Sequence, residues 1–282
     1  MLRLNILGAG RAARVIARWL VDSGLVEIGQ VANARLTSAE QAVDFIGSGR
    51  AVSRIAGLSD DNVLLVGLTD QMLNAAGPDW IDGQPGVAFH LSGSLDSTAL
   101  KGWARQVASV HPARAFAQPE RALNRMPGTW MTAEGDIEAL ARLESLFLAA
   151  GARWQTVARA HKALYHAATV VASNYLVTLT ALARDLAQAS GFDEADAQDL
   201  LAELQSGTLA NLDRVDAAKA LTGPIERGDL NQIERMHKTS LANHSESGPL
   251  LSELGLATLK LAQRARGRKD IDDRIKALLT RP

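Results

Sequence analysis

The chain has 282 residues, 47% hydrophobic, 22% charged and 4% aromatic, with 30 basic against 31 acidic residues for a net charge of −1. This length predicts two domains or one domain with a large extension, and the absence of cysteine excludes disulfides, thiolate metal sites and cysteine nucleophiles. Near-neutral charge and few aromatics argue against nucleic-acid binding, which needs an electropositive track and stacking platforms. The run Met1–Leu7 is short for a signal peptide and is followed by Gly8 and Gly10, so a cytoplasmic protein is expected.

In chain order, Leu2–Leu7 reads as a buried strand and Ala12–Ser23 as a helix with Val15, Ile16, Trp19 and Leu20 on one face. Val26–Ala32 is a second strand, followed by a helix through Ser38–Ile46 with Ser38 as its N-cap. Val63–Leu68, Val87–Leu91 and Val107–Val110 read as further strands, and Thr129–Ala133 and Trp154–Val157 extend the sheet. Strands alternating with helices indicate a parallel sheet covered on both faces. Beyond Ala158 only helical patterns follow: Ala160–Ala189, Glu194–Leu212, Asp229–Ala242, Pro249–Arg264 and Asp270–Leu279. Gly191 stops the first of these and Asp193 caps the next. The expected architecture is an α/β doubly wound domain over 1–158 and an all-α domain over 159–282. Ala163–Ala183 carries no charge and is long enough to span a bilayer. Its polar stripe (His166, Thr169, Ser173, Asn174) favours a helix buried in the protein, with no membrane as partner.

Gly8-Ala9-Gly10-Arg11-Ala12-Ala13 joins the first strand to the first helix as G-x-G-x-x-A, the pattern that seats a dinucleotide pyrophosphate on a helix N-terminus. At the end of the second strand, where a carboxylate would select NAD, the chain has Asn33, Arg35, Thr37 and Ser38. An arginine there suits the 2′-phosphate of NADP. Thr69, Asp70, Ser92 and Gly93 fall at the ends of later strands and are candidates for the cofactor cleft. His90 reads equally as a hydrogen-bonded core histidine. His111 is a candidate for bordering the substrate.

Offsets of four, seven and eleven from Lys162 place His166, Thr169 and Ser173 on one helix face, with Tyr165 and Asn174 at its margin. A reductase needs a proton for the carbonyl oxygen or imine nitrogen it reduces. Lys162 with a pKa lowered by burial can supply it, or can anchor a substrate carboxylate, with His166 as alternative or relay. The competing reading is a lysine that snorkels to solvent beside a buried histidine. Thr222, in the crowded turn Leu221–Asp229, is a candidate substrate contact, with Asp229 equally a simple N-cap. No histidine pair has metal-ligand spacing, so no metal is expected. The stretch Arg264–Lys269 followed by Asp270, Asp272 and Asp273 reads as a solvated face.

The glycine loop, His90-Leu91-Ser92-Gly93, His111-Pro112, Lys162-Ala163-Leu164-Tyr165-His166, Ala172-Ser173-Asn174 and Leu221-Thr222-Gly223-Pro224-Ile225 together resemble a Rossmann-like family with a C-terminal domain of unknown function. That family is similar in architecture to the 6-phosphogluconate dehydrogenase superfamily, which includes pyrroline-carboxylate and ketopantoate reductases. The resemblance implies an NADP-dependent oxidoreductase acting on a small carboxylate substrate, ketopantoate being the first to try, and a homodimer through the helical domain. It also implies a catalytic role for Lys162, although His166 stands where the superfamily's hydroxyacid dehydrogenases have an asparagine. Imine reduction and a non-catalytic NADP-binding regulator are the rival readings.

Overall fold

The computed structural model describes residues 1–280, which form two compact units divided between Ser173 and Asn174. The expected boundary near Val157–Ala160 precedes this division, because the turn that carries Lys162 belongs with the sheet.

The first unit contains β1 (Leu2–Leu7), α1 (Arg11–Asp22), β2 (Val26–Ala32), α2 (Leu36–Ile46), β3 (Arg50–Val52), β4 (Ile55–Leu58), β5 (Asn62–Val66) and α3 (Asp70–Ala75). It continues through β6 (Ile81–Gly83), β7 (Val87–His90), β8 (Gln106–Pro112), α4 (Pro119–Leu123), β9 (Trp130–Gly135), α5 (Ile137–Ala149), β10 (Arg153–Thr156) and α6 (Lys162–Val170). Eight strands form one sheet in the order β10-β9-β8-β7-β5-β1-β2-β3, and β4 and β6 pair separately. The expectation of a wholly parallel sheet is corrected at one place: β9 runs antiparallel to β8. The order from β8 to β3 brings the C-terminal ends of β1, β5 and β7 together, with β1 and β5 diverging in connection to either side, where ligands of doubly wound sheets bind.

Alternation along the strands fills two cores. Leu4, Ile6, Leu65 and Phe89 meet Ile16, Leu20, Leu143 and Phe147 on one face. Leu7, Leu64, Val66 and Ala88 meet Leu73, Ile55, Ile81 and Trp103 on the other. The second face is therefore covered mainly by short strands and turns, whose brevity hid them from periodicity. Burying each of the large side chains Trp103, Phe89 and Phe147 contributes about 3 kcal/mol. Two helix starts differ from expectation in an instructive way. Helix α1 begins at Arg11 with Gly10 as its N-cap, and α2 is capped by the extended backbone of Arg35 rather than by Ser38.

The second unit is helical: α7 (Leu176–Ala189), α8 (Glu194–Leu212), α9 (Ala217–Ala220), α10 (Pro224–Arg227), α11 (Leu230–Asn243), α12 (Gly248–Arg266) and α13 (Ile271–Leu279). Asp193 caps α8 by accepting from Asp196 N at 2.8 Å. Ile233, Leu259, Ile275, Leu278 and Leu279 form its core. The expected solvated face after Arg264 is corrected in part. Asp272 is 1% exposed, accepts from Arg266 Nη2 at 2.7 Å and from Lys269 N at 3.0 Å. These donors hold its carboxyl far below the usual range. Arg268–Asp273 is the solvated pair.

The long apolar helix is interrupted and is not buried. Val171–Tyr175 forms a π-helical turn between α6 and α7, which breaks the even spacing of the expected polar stripe. Arg159–Ala189 has the length and composition to cross a membrane, yet only 6% of its apolar window is buried within the chain. Leu164, Val171, Tyr175 and Val177 are exposed, contrary to the expectation of burial.

Candidate functional site

The loop after β1 is set by close approach. Gly8 has φ +84°, and a Cβ there would lie 2.7 Å from Leu68 Cδ2. Gly67, which the motif reading missed, is equally constrained: a Cβ would stand 2.3 Å from Gly8 O and 2.6 Å from Ala13 Cβ. At Gly10, by contrast, the nearest atom to such a Cβ is Gly67 O at 3.8 Å, so its outer side is open. The first helical hydrogen bond of α1 is Arg14 N to Gly10 O at 3.0 Å. The N–H groups of Arg11, Ala12 and Ala13 therefore lack intrahelical acceptors, and the first turn carries no acidic residue. Ala9 N is already used, donating to Asn33 Oδ1 at 2.6 Å, while Asn33 Nδ2 donates to Ser38 O at 2.8 Å. Asn33 thus ties the glycine loop to the start of α2. Arg35 and Thr37 are exposed there.

A cleft of about 610 Å³ lies over this loop, lined by Gly10–Ala13 on one side and by Gly67, Thr69, Asp70, Ser92, Phe116 and Ala117 on the other. Its open side over Gly10 and the unpaired N–H groups fit the pyrophosphate of a dinucleotide. Thr69 caps α3, accepting from Met72 N at 3.3 Å, and Asp70 accepts from the Ser94 hydroxyl. His90 is fully buried. It accepts from Ser92 N at Nδ1, 3.1 Å, so its Nε2–H donates to Asp96 O at 3.0 Å. Burial lowers its pKa to about 4, the behaviour of a satisfied core histidine.

Lys162 is 2% exposed and its ammonium turns inward. Nζ donates to the Ser109 hydroxyl and lies 3.9 Å from Glu134 Oε1. Desolvation lowers the lysine pKa, opposed by the Glu134 charge. Glu134, also 2% exposed, accepts from Ser97 N at 2.7 Å, from Ser97 Oγ at 2.8 Å and from Arg159 Nε at 3.4 Å. Ser109 Oγ in turn donates to Ser92 O at 3.2 Å. A buried charge thus stands behind Ser92, one residue removed from the open cleft. Glu134, Ser97, Ser109 and Arg159 escaped the sequence reading; a search for the buried lysine's counter-charge would have found Glu134 at the end of an apolar strand.

His111 Nδ1 and Tyr165 OH share a hydrogen bond of 2.8 Å. Burial first, then the charges of Lys162 and His166, lower the His111 pKa to about 4, and burial raises that of Tyr165. The His111 and His166 rings meet edge to face, 6.0 Å between centroids. Gly93 makes this possible, because a Cβ there would fall 2.4 Å from His166 Nδ1 and 3.0 Å from His111 Nε2. His166 Nδ1 is buried without a hydrogen-bond partner, which marks a place for a water or a ligand group. Lys162, Tyr165, His166, His111 and Gly93 are therefore brought together in one unit. Ser173 and Asn174 are exposed in the π turn, and Thr222 is exposed in the second unit, before α10. No group of metal-binding side chains occurs among the described residues.

The fold is that of a Rossmann-like doubly wound domain with an all-helical C-terminal unit. Residues 129–258 match a domain of unknown function, DUF2520, a segment that includes Glu134, Arg159, Lys162, Tyr165 and His166. Among solved structures, a Thermotoga maritima protein is 24% identical with a TM-score of 0.74, covering 93% of this chain and 99% of its own. A 1-pyrroline-5-carboxylate reductase from Streptococcus pyogenes is 12% identical with a TM-score of 0.62, covering 98% of each chain. A reductive aminase from Aspergillus terreus, in complex with NADPH and ethyl levulinate, is 18% identical with a TM-score of 0.59, covering 98% of this chain and 99% of its own. No curated protein gives a significant sequence match.

Proposed function

We propose that the protein is an NADPH-dependent oxidoreductase that reduces a small 2-oxo acid, with ketopantoate the first substrate to test. The observation that carries this reading is the open face of Gly10 beside the unpaired N–H groups of α1. Gly8–Ala13 would hold the pyrophosphate, Arg35 with Thr37 and Ser38 the 2′-phosphate, and Thr69, Asp70 and Ser92 the wall of the cleft, with Gly93 behind it against His111 and His166. The nicotinamide, when bound, supplies the hydride. Lys162 serves behind Ser92 and Ser109 as a fixed positive charge that favours a substrate carboxylate or a developing alkoxide. Tyr165, hydrogen-bonded to His111, and His166 are the groups that hold or move a proton. The solved structures of similar fold that are named for NADPH and for pyrroline-carboxylate reduction support the cofactor and the reaction class.

A second reading, imine reduction, is favoured by the inward turn of Lys162, since an iminium carries its proton into the site and needs no ammonium donor. The exposed apolar side of α6 and α7 supports a homodimer. NADPH consumption with 2-oxo acids and with cyclic imines, measured side by side, separates the two readings. Tight NADPH binding without consumption on either panel favours the regulator instead. Full turnover in Lys162→Ala removes the role given to the lysine.

A further inference from the structure

The first unit holds a second cavity, of about 740 Å³, between the end of β8 and α4. Arg114, Arg121 and Arg125 face it, with Gln118 and Asn124 and a wall of alanines. Among the described residues no carboxylate pairs with any of the three guanidinium groups, and Glu120, the one acidic residue of α4, is not part of the lining. Three guanidinium groups that line one concave surface without a carboxylate are placed to share an anion. The position of Arg114 is fixed rather than loose: its Nε donates to Thr129 Oγ1 at 2.7 Å. Thr129 is 2% exposed and donates onward to Arg125 O at 3.4 Å. Burial and then the Arg125 charge both lower the proton affinity of Arg114. Small alanine side chains leave this volume unfilled and open to solvent on its outer side.

This cavity is distinct from the place given to the cofactor's 2′-phosphate. Arg35 follows β2, on the opposite side of β1 from β8. The two cavities adjoin through Ala117, which lines both.

We propose that the arginine cavity binds a small polyanion bearing a diphosphate or several carboxylates, as a second ligand beside the dinucleotide. Guanidinium groups take phosphate and carboxylate oxygens in pairs, so both chemistries suit the same three arginines. The inference is independent of the reaction proposed above. Its test is calorimetric titration of the full-length protein with inorganic pyrophosphate and, separately, with citrate. The variants are Arg121→Gln, Arg125→Gln, Arg121→Lys and, as a reference, Arg35→Gln. Arg121 and Arg125 are exposed, so their replacement leaves folding intact. One equivalent of at least one probe should bind, more weakly as salt rises. Each glutamine variant should weaken it by about tenfold or more, Arg121→Lys by less, and Arg35→Gln not at all. The probe that binds identifies phosphate or carboxylate chemistry. Absence of binding by both probes, or glutamine variants that bind like the wild type, overturns the proposal. So does a parallel loss of NADPH affinity in Arg121→Gln and Arg125→Gln, which would make the cavity part of the dinucleotide site.

Discussion

Replacing Glu134 by glutamine isolates the buried charge behind the cleft. The side chain keeps its volume, and one amide oxygen can still accept from Ser97 N. The carboxylate 3.9 Å from Lys162 Nζ is lost, however, and the ammonium is left buried with only the Ser109 hydroxyl. Removing one member of a buried pair costs about 3–5 kcal/mol. Here the amine can shed its proton, and the pair is not in tight contact, so about 2–4 kcal/mol is expected. For a chain of 282 residues that lowers Tm by about 3–8 °C. The pH dependence carries a sign. The Lys162 pKa is already below its ordinary 10.5 in the folded chain, and loss of Glu134 depresses it further. Between the folded pKa and 10.5 the unfolded chain binds more protons, so the penalty of the buried ammonium is relieved as pH rises. The deficit of Glu134→Gln relative to wild type should therefore be largest near neutrality and shrink toward pH 10. Denaturant titrations across that range measure it. The double variant Glu134→Gln, Lys162→Met should recover part of the loss. A variant as stable as wild type at pH 7, or a deficit that grows with pH, refutes the pairing.

Gly67→Ala should destabilise the first unit by about 1–3 kcal/mol and abolish dinucleotide binding in a fluorescence titration, because its Cβ would meet Gly8 O at 2.3 Å. Arg35→Ala should cut the preference for NADPH over NADH by about tenfold or more, the worth of one charge-assisted contact, read as the ratio of the two Kd values. His90 and His111 titrate near 4 when folded against 6.5 ordinarily. The unfolded chain therefore takes up protons first, and stability present above pH 6.5 is lost as pH falls toward 4. The loss is about 3 kcal/mol for His90 and less for the partly exposed His111, in chemical denaturation at stepped pH. Leu164→Glu and Val177→Glu, at side chains 73% and 69% exposed, should convert a dimer to monomer by light scattering; a wild-type monomer would contradict the dimer outright.

The long apolar strands and the glycine loop were legible in the sequence because each rests on local pattern. Leu2–Leu7, Gly8–Ala13 and Val26–Ala32 need only their neighbours to be recognised. Short strands such as Ile55–Leu58 and Ile81–Gly83 have no period to detect, and their pairing is a tertiary fact. The same holds in the site. Lys162, Tyr165 and His166 are close in sequence, and helical spacing groups them. Glu134, Ser97 and Ser109 reach Lys162 across the sheet, at separations that no motif encodes. The π turn at Val171–Tyr175 is invisible to an even helical period, so the spacing that groups Lys162 with His166 does not by itself place Ser173 and Asn174. The apolar run of α6 and α7 reads as core because sequence gives hydrophobicity without saying which surface covers it.

The central claim is tested most directly by following NADPH consumption by the wild-type protein with ketopantoate, other 2-oxo acids and cyclic imines, against NADH under the same conditions. Consumption of NADPH dependent on one of these substrates, with NADH used at least about tenfold less well, is the predicted result. No consumption with any substrate, or equal use of NADH, would contradict it.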